Sequence, residues 1–461
     1  MPEALSPSDL SAISAERGPV HMHVGGVCVF DGPIARETVV ERLRERLHLI
    51  PRYTMRLKGA PLGLANPVWV DDESFDADRH VRRVALPAPG GDRELSELVG
   101  QILSEPLDRA RPLWQLTVVE GLPRKRTAIV AKMHHALVDG LAAVDVSTVI
   151  LDPSKEGLDI PPPEPKAPAE RRRLARLDQL TRIASAQVEL PRKLAREAVT
   201  RTIDPRTYAS QVRNAAGVVG ELARVRPQAP DTRLNAEIGR ERRFALARSR
   251  LDDVKAVRRA TGATVNDVLL TIVAMMLSEY LGEDAPDKAV ALVPVSVRTE
   301  DERGELGNRI STVFVDLPLR GDPVERVRAI STAMDEVKGS AQVRAGALIV
   351  GATGLVPPIV SSLAVRAMSG PRMFNLVVSN VPGPQQTFYM AGVPLLEVFP
   401  AVPLNPRNQA LSIGIVSYDG GVRFGLLADR DALPDLERAA AGLQEAAGAL
   451  LVAAAAGPRA D

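Results

Sequence analysis

At 461 residues the chain is too long for one ordinary hydrophobic core, so two units of comparable size are the expectation. A hydrophobic fraction of 45% with 25% charged residues is that of a soluble globular protein. The formal net charge of +1 supplies no whole-chain field for nucleic acid, and a single cysteine, Cys28, excludes an intramolecular disulfide. Cys28 stands in the apolar alternation "VGGVCVF" and reads as a small buried residue. The N-terminal "MPEALSPSDLSAISAERG" has neither a basic region nor an apolar core, so no signal peptide is expected, and the chain reads as cytoplasmic.

Between Val24 and about Ile150, short apolar runs alternate with helical stretches, as in α/β proteins. "HVGGVCVF" reads as a strand and "ARETVVERLRERLHLI" as an amphipathic helix. "ELSELVGQILSEPLD" is a second helix, followed by strands in "WQLTVVEGL" and "RTAIVAKM" and a helix in "GLAAVDVSTVIL". The Pro-rich stretch 161–170 then breaks the pattern. From Lys166 to Arg226 there are 14 Lys/Arg against 6 Asp/Glu, arranged with helical periodicity. Two readings stand for this segment, a solvated pair of linker helices or a contact with anionic lipid headgroups. In the second, each basic residue near the surface contributes about 1 kcal/mol.

A second α/β pattern begins near Arg243. "RLDDVKAVRRATG" reads as a helix stopped by Gly262, and "ATVNDVLLTIVAMMLSEYL" as a long apolar helix. "AVALVPVSV" and "FNLVVSNVPGP" read as strands running into turns. "LSIGIVSYDGGVRFGLLAD" reads as a hairpin, and "LPDLERAAAGLQEAAGALLVAAA" as a C-terminal helix. The 21 uncharged residues 345–365 approach the length of a membrane span, but the two glycines in their middle, Gly351 and Gly354, and Pro357-Pro358 would break a spanning helix. Buried core or tunnel wall is the first reading there, and an apolar face dipping into a bilayer the second. The division expected is 1–155, a linker over 156–235, and 236–461.

The chemistry concentrates in "HHALVDG", residues 134–140, where a strand delivers His134 and His135 to its end and Asp139 and Gly140 follow in the turn. A neutral imidazole can take the proton of a hydroxyl, because its pKa lies near the working pH. No Gly-x-Ser-x-Gly elbow is present to make an acyl-enzyme, so the group attacked would be an already activated acyl. A purely structural pair is the alternative. A metal site is disfavoured, because neighbouring strand residues face opposite sides and neither His-Glu-x-x-His nor a cysteine cluster accompanies them. Asp139 could orient the base or hold the loop through an arginine, and the salt bridge is the favoured reading.

The His-His-x-x-x-Asp-Gly signature resembles that of the CoA-dependent acyltransferase superfamily. The wider pattern resembles the bacterial wax ester synthase/diacylglycerol acyltransferase family, also called triacylglycerol synthases. It is carried by "LSPSDLSAISAERGPVHMHVGGVCVFDG", "RPLWQLTVVEGL", "HHALVDG", "TRLNAEIGRERRFA", "GATVNDVLL", "VPVSVR", "GNRISTVFVDLP", "VSNVPGP" and "FGLLADRDALPDL", in that order. The resemblance implies two similar chloramphenicol-acetyltransferase-like α/β domains with mixed sheets and an active-site tunnel between them.

It also implies a catalytic set of His135 as base with His134 and Asp139, His134 and Gly140 shaping the loop. Gly140, Asn266, Asp267, Pro112, Leu113 and Trp114 are the substrate-path candidates, and Arg298 is a structural partner for Asp139. Asn266 could donate to a developing oxyanion, or the "TVND" run could simply cap a helix. Pro382-Gly383-Pro384 reads as a rigid turn without chemistry.

The activity implied is transfer of a long-chain acyl group from acyl-CoA, a substrate, to diacylglycerol. No cofactor, metal or nucleic acid is expected. A fatty alcohol is the alternative acceptor, a lipid-linked or natural-product scaffold a further one, and a non-catalytic acyl-CoA or lipid binding protein the competing class. Each buried methylene contributes about 0.8 kcal/mol, so such acceptors reside in lipid. A cytoplasmic enzyme held peripherally at the inner face of the membrane or on lipid bodies is the resulting expectation.

Overall fold

The computed structural model describes residues 3–16, 18–59, 67–137, 149–161, 229–296, 310–338, 373–404 and 408–456. The first unit contains β1 (Glu3–Ala4), α1 (Pro7–Ala15), β2 (His23–Phe30), α2 (Arg36–Arg46), β3 (Met55–Lys58) and β4 (Val68–Asp71). It continues with β5 (Val81–Ala85), α3 (Asp92–Ser104), β6 (Trp114–Glu120) and β7 (Thr127–His134). The second contains β8 (Arg242–Arg250), α4 (Leu251–Thr261), α5 (Val265–Leu281), β9 (Lys288–Ser296), β10 (Ile310–Pro318) and α6 (Pro323–Lys338). β11 (Leu376–Pro382), β12 (Tyr389–Met390), β13 (Val393–Ala401), β14 (Leu411–Tyr418), β15 (Gly421–Asp429) and α7 (Leu436–Ala456) complete it.

Each unit carries a mixed six-stranded sheet, in the orders β12-β13-β2-β7-β6-β5 and β10-β9-β11-β14-β15-β8. A small sheet β1-β4-β3 stands apart. The two-step period of β2 explains its place in the first sheet. Phe30 and Cys28 turn to a core shared with α2, whereas Val27 and Val29 turn to a core shared with α3. That second core also takes Phe244, Phe399, Leu404 and Leu427, so the α3 face of the histidine strand is where the two units meet.

The second unit also lends two strands, β12 and β13, to the first sheet. β13 comes from the C-terminal part of the sequence but pairs antiparallel with β2, from Leu395↔Phe30 to Ala401↔Gly25. With β7 on the other edge of β2, this explains "GG" in "HVGGVCVF": a Cβ on Gly25 would lie 1.9 Å from Ala131 O of β7, and one on Gly26 2.5 Å from Phe399 O of β13. The sequence division at 236–461 therefore does not coincide with the sheets at this strand.

The helices and strands read from "RLDDVKAVRRATG", "ATVNDVLL…" and the 411–429 hairpin are present, with Gly262 at φ 73 stopping α4. No element is read from sequence for β8. Its arginines obscure a strand buried on both faces, Phe244 entering the core shared with α3 and Ala245 and Ala247 the core of the second unit. The helix expected over 140–151 falls mostly outside the described residues, as do the basic linker and the apolar run 345–365.

Candidate active site

His134 ends β7 and His135 begins a single 3₁₀ turn, His135–Leu137. The junction is held from both sides: His134 N–H donates to Leu113 O at 2.9 Å, and His135 N–H donates to Met22 O at 2.7 Å. Adjacent residues at a strand end face different surroundings. His134 is 1% exposed, whereas His135 is exposed. The two histidines therefore do not converge on one ion.

His134 Nδ1 accepts the Ala136 N–H at 3.0 Å, which assigns the proton of the neutral ring to Nε2. Nε2 is buried without a well-directed acceptor and lies 3.3 Å from Glu16 Oε1. Glu16, just after α1, also accepts the Met22 N–H on Oε1 at 2.9 Å and Arg109 Nη2 on Oε2 at 2.6 Å. Burial alone would raise the Glu16 carboxyl, but His134, Arg109 and the Met22 N–H outweigh it and hold the group well below the usual carboxylate range. Glu16 was not legible as a site residue in the sequence, because nothing local to it signals chemistry.

Two more imidazoles stand on this face. His23 pairs directly opposite His134 in the sheet, and the His21 and His23 rings stack with centroids 5.1 Å apart. Burial, with the nearby Lys132 charge, pushes His23 down to about 3, and burial lowers His21 as well. Ligand atoms of Glu16, His21 and His23 lie within 4.8 Å of one another. The carboxylate, however, already meets three donors, one of them a guanidinium, and a cation would have to displace them. Lys132 itself is buried and donates to Ile102 O at 2.8 Å and Glu105 O at 3.1 Å, closing the C-terminal end of α3.

Pro112 and Leu113 lead into β6, which begins at Trp114 and pairs with β7 in the same sheet, Trp114 opposite Met133. Leu113 and Trp114 are 1% and 3% exposed. Trp114 Nε1 donates to Tyr53 O at 2.7 Å, and its ring stacks on His80 at 4.4 Å. Their described contact with the histidines runs through the Leu113 carbonyl rather than through a side chain.

In the second unit, Thr264 caps α5. Its Oγ1 accepts the Asp267 N–H at 3.2 Å, and Asp267 Oδ2 accepts the Thr264 N–H at 2.9 Å. Asp267 is thus the capping-box residue of the "TVND" run, 1% exposed. Asn266 has a different role, since its Oδ1 accepts from Asn380 Nδ2 on β11 at 3.2 Å. An amide whose oxygen is so engaged has its NH₂ end free to donate elsewhere. Sequence reading took the run through Asn380 as a strand into a rigid turn and missed this pairing. Asp139, Gly140 and Arg298, with the ion pair expected between them, lie outside the described residues.

Residues 5–269 match the wax ester synthase/diacylglycerol acyltransferase catalytic domain, and residues 306–450 match the C-terminal domain of the same family. The chain is similar to a probable diacylglycerol O-acyltransferase of Mycobacterium tuberculosis, 34% identical over 463 residues, covering 96% of this chain and 97% of the other. A second Mycobacterium tuberculosis protein named for the same activity is 35% identical over 456 residues, covering 95% and 97%. Among solved structures, the wax ester synthase/diacylglycerol acyltransferase of Marinobacter aquaeolei superposes with a TM-score of 0.69 at 29% identity, covering 99% of this chain and 100% of that one. The first condensation domain of the CDA synthetase shares the fold, with a TM-score of 0.53 at 14% identity over 97% and 96% of the chains. With both family domains present in order on two mixed α/β sheets, the chain belongs to the wax ester synthase/diacylglycerol acyltransferase family.

Proposed function

We propose that His135 is the general base by which this acyltransferase moves a long-chain acyl group from acyl-CoA to the free hydroxyl of diacylglycerol. The observation that carries the reading is an exposed imidazole whose backbone is held from two neighbouring segments, by Leu113 through His134 and by Met22 directly. The acceptor hydroxyl gives its proton to the imidazole as its oxygen attacks the thioester carbonyl carbon. The tetrahedral oxyanion then collapses, the carbon–sulfur bond breaks, and the coenzyme A thiolate takes the proton back. Triacylglycerol and free coenzyme A result, and the step balances with two substrates and one imidazole. The Asn266 NH₂, oriented by Asn380, is a donor suited to the oxyanion. His134 shapes the turn that begins at His135 by accepting the Ala136 N–H.

A peripheral site of action on a cytoplasmic membrane face or lipid body is part of the same proposal, because both substrates are long-chain lipids. It is supported by α7, which has no charge after Glu445, and whose last turns expose Ala449, Val452 and Ala455. The wax ester synthase reading stands beside it through the family's double name.

The test is thiol release from palmitoyl-CoA with diacylglycerol, with a fatty alcohol or with neither, wild type beside His135→Ala. Diacylglycerol-dependent release lost in the variant supports the proposal, and release only with the alcohol transfers it to wax ester synthesis. Acyl-CoA binding without turnover on any acceptor would make the chain a binding protein.

A further inference from the structure

Glu16 lies outside the histidine motif, yet it touches the chain on both sides of His135. Its Oε1 takes the Met22 N–H, and the Met22 carbonyl takes the His135 N–H at 2.7 Å. The same oxygen faces His134 Nε2 at 3.3 Å, and the other nitrogen of that ring takes the Ala136 N–H. Oε2 takes Arg109, which lies on the segment leading to Leu113, the residue whose carbonyl holds the His134 N–H. One carboxylate, 11% exposed, thereby joins three separate segments of chain around the base.

The histidine between them makes the acceptor oxygen matter. A neutral imidazole has one donor nitrogen and one acceptor nitrogen. In His134 a backbone N–H points at Nδ1, so Nδ1 must be the acceptor and Nε2 must carry the proton. A negative oxygen facing Nε2 favours that arrangement. In the opposite tautomer, Nδ1–H and the Ala136 N–H would meet donor to donor, and the turn that begins at His135 would open. A cation in place of these contacts would remove the same three donors, so the group is better fitted to hold a ring than a metal.

The geometry points to Glu16 as the positioning residue of this site: its carboxylate selects the Nε2–H tautomer of His134 and, through Met22 and Ala136, fixes the backbone that aims His135. Glu16 exchanges no proton with substrate. The assignment rests on the reading of His135 as general base, and its test includes a measurement that does not depend on turnover.

Glu16→Gln keeps an oxygen that can accept from both Met22 and His134, whereas Glu16→Ala keeps none. A displacement of about 1 Å in a reacting group costs on the order of 10²-fold in rate, so Glu16→Ala should lower kcat by about that factor while palmitoyl-CoA binding is retained. Glu16→Gln should recover most of the loss. The second measurement is the imidazole nitrogen spectrum of the full-length protein labelled with ¹⁵N-histidine. Wild type and His135→Ala should show His134 with a protonated Nε2 and a bare Nδ1, and Glu16→Ala should lose that signature.

An unchanged His134 signature in Glu16→Ala would overturn the assignment, as would a kcat loss equal in the Gln and Ala variants. If Glu16→Ala fails to fold, the Gln variant carries the test: its spectrum must keep the signature and its kcat must exceed a tenth of wild type. If wild type proves inert with every acceptor while Glu16→Ala still changes the spectrum, the base reading of His135 fails and the tautomer assignment stands.

Discussion

The two units carry sheets of equal strand number, but they bury different chemistry at the strand ends that matter. All six histidines lie between residues 21 and 135, and four of them gather where β2 begins and β7 ends. The matching polar feature of the second unit is a pair of amides, Asn266 on α5 and Asn380 on β11, beside an otherwise apolar core built on α5 and α7. One side thus gathers imidazoles, the side-chain class that can take up a proton, and the other holds amides, which cannot. The comparison separates two tasks: moving a proton requires a titratable ring under electrostatic control, whereas stabilising a developing negative oxygen requires a fixed dipole.

That division can be broken by experiment, most strongly at the base. His135→Ala should lower kcat by about 10²–10⁴-fold, with acyl-CoA binding retained in equilibrium titration. A loss confined to KM would place His135 in binding alone. On the amide side, Asn266→Ala should cost about 10²-fold in kcat, the scale for one oxyanion donor. Asn380→Ala should cost less, about tenfold on the same scale, because it only loosens the Asn266 amide. A full loss at Asn380 with none at Asn266 would reverse the assignment of donor and support.

The contact between the units offers a third test. Glu397 on β13 accepts Arg248 from β8 at 2.7 Å and Arg423 from β15 at 2.8 Å, joining the first sheet to the second. Burial would raise its carboxyl, but the two arginines lower it. Removing one partner of such a part-buried ion pair is costly, so Glu397→Ala should lose about 2 kcal/mol in urea unfolding. Because the folded-state pKa is depressed, this contribution is present above the unfolded carboxylate pKa of about 4.3 and disappears as pH falls through the folded value. The gap between wild type and variant should therefore narrow on acidification, and a constant gap would mean the charge is not what holds the junction. The smallest effect belongs to the α5 cap, where Thr264→Ala should lose about 1 kcal/mol, read from the urea midpoint. A larger loss, with kcat falling too, would show that the cap also positions Asn266.

Sequence legibility tracked the range of the interactions. β2, β7, α4 and α5 follow from patterns that repeat within a few residues, and His134 and His135 stand out because a strand signal stops on them. Asp267 was weighed between the site and a helix cap, and Thr264 with its N–H contacts identifies the cap. Asn266, its neighbour, parts from it only because Asn380 approaches from a strand more than a hundred residues away. Glu16, the crossing of β13 into the first sheet and the backbone role of Leu113 were not legible, since each is defined by a partner distant in the chain.

The amino-acid sequence by itself determined the α/β class, most of the elements around the histidines and the family, because periodicity and ordered motifs are local properties of the chain. Only the tertiary structure decided which side chains meet. It set His134 against Glu16, put Asn380 behind Asn266 and laid β13 beside β2, because hydrogen bonds and ion pairs act over a few ångströms in space regardless of separation in sequence.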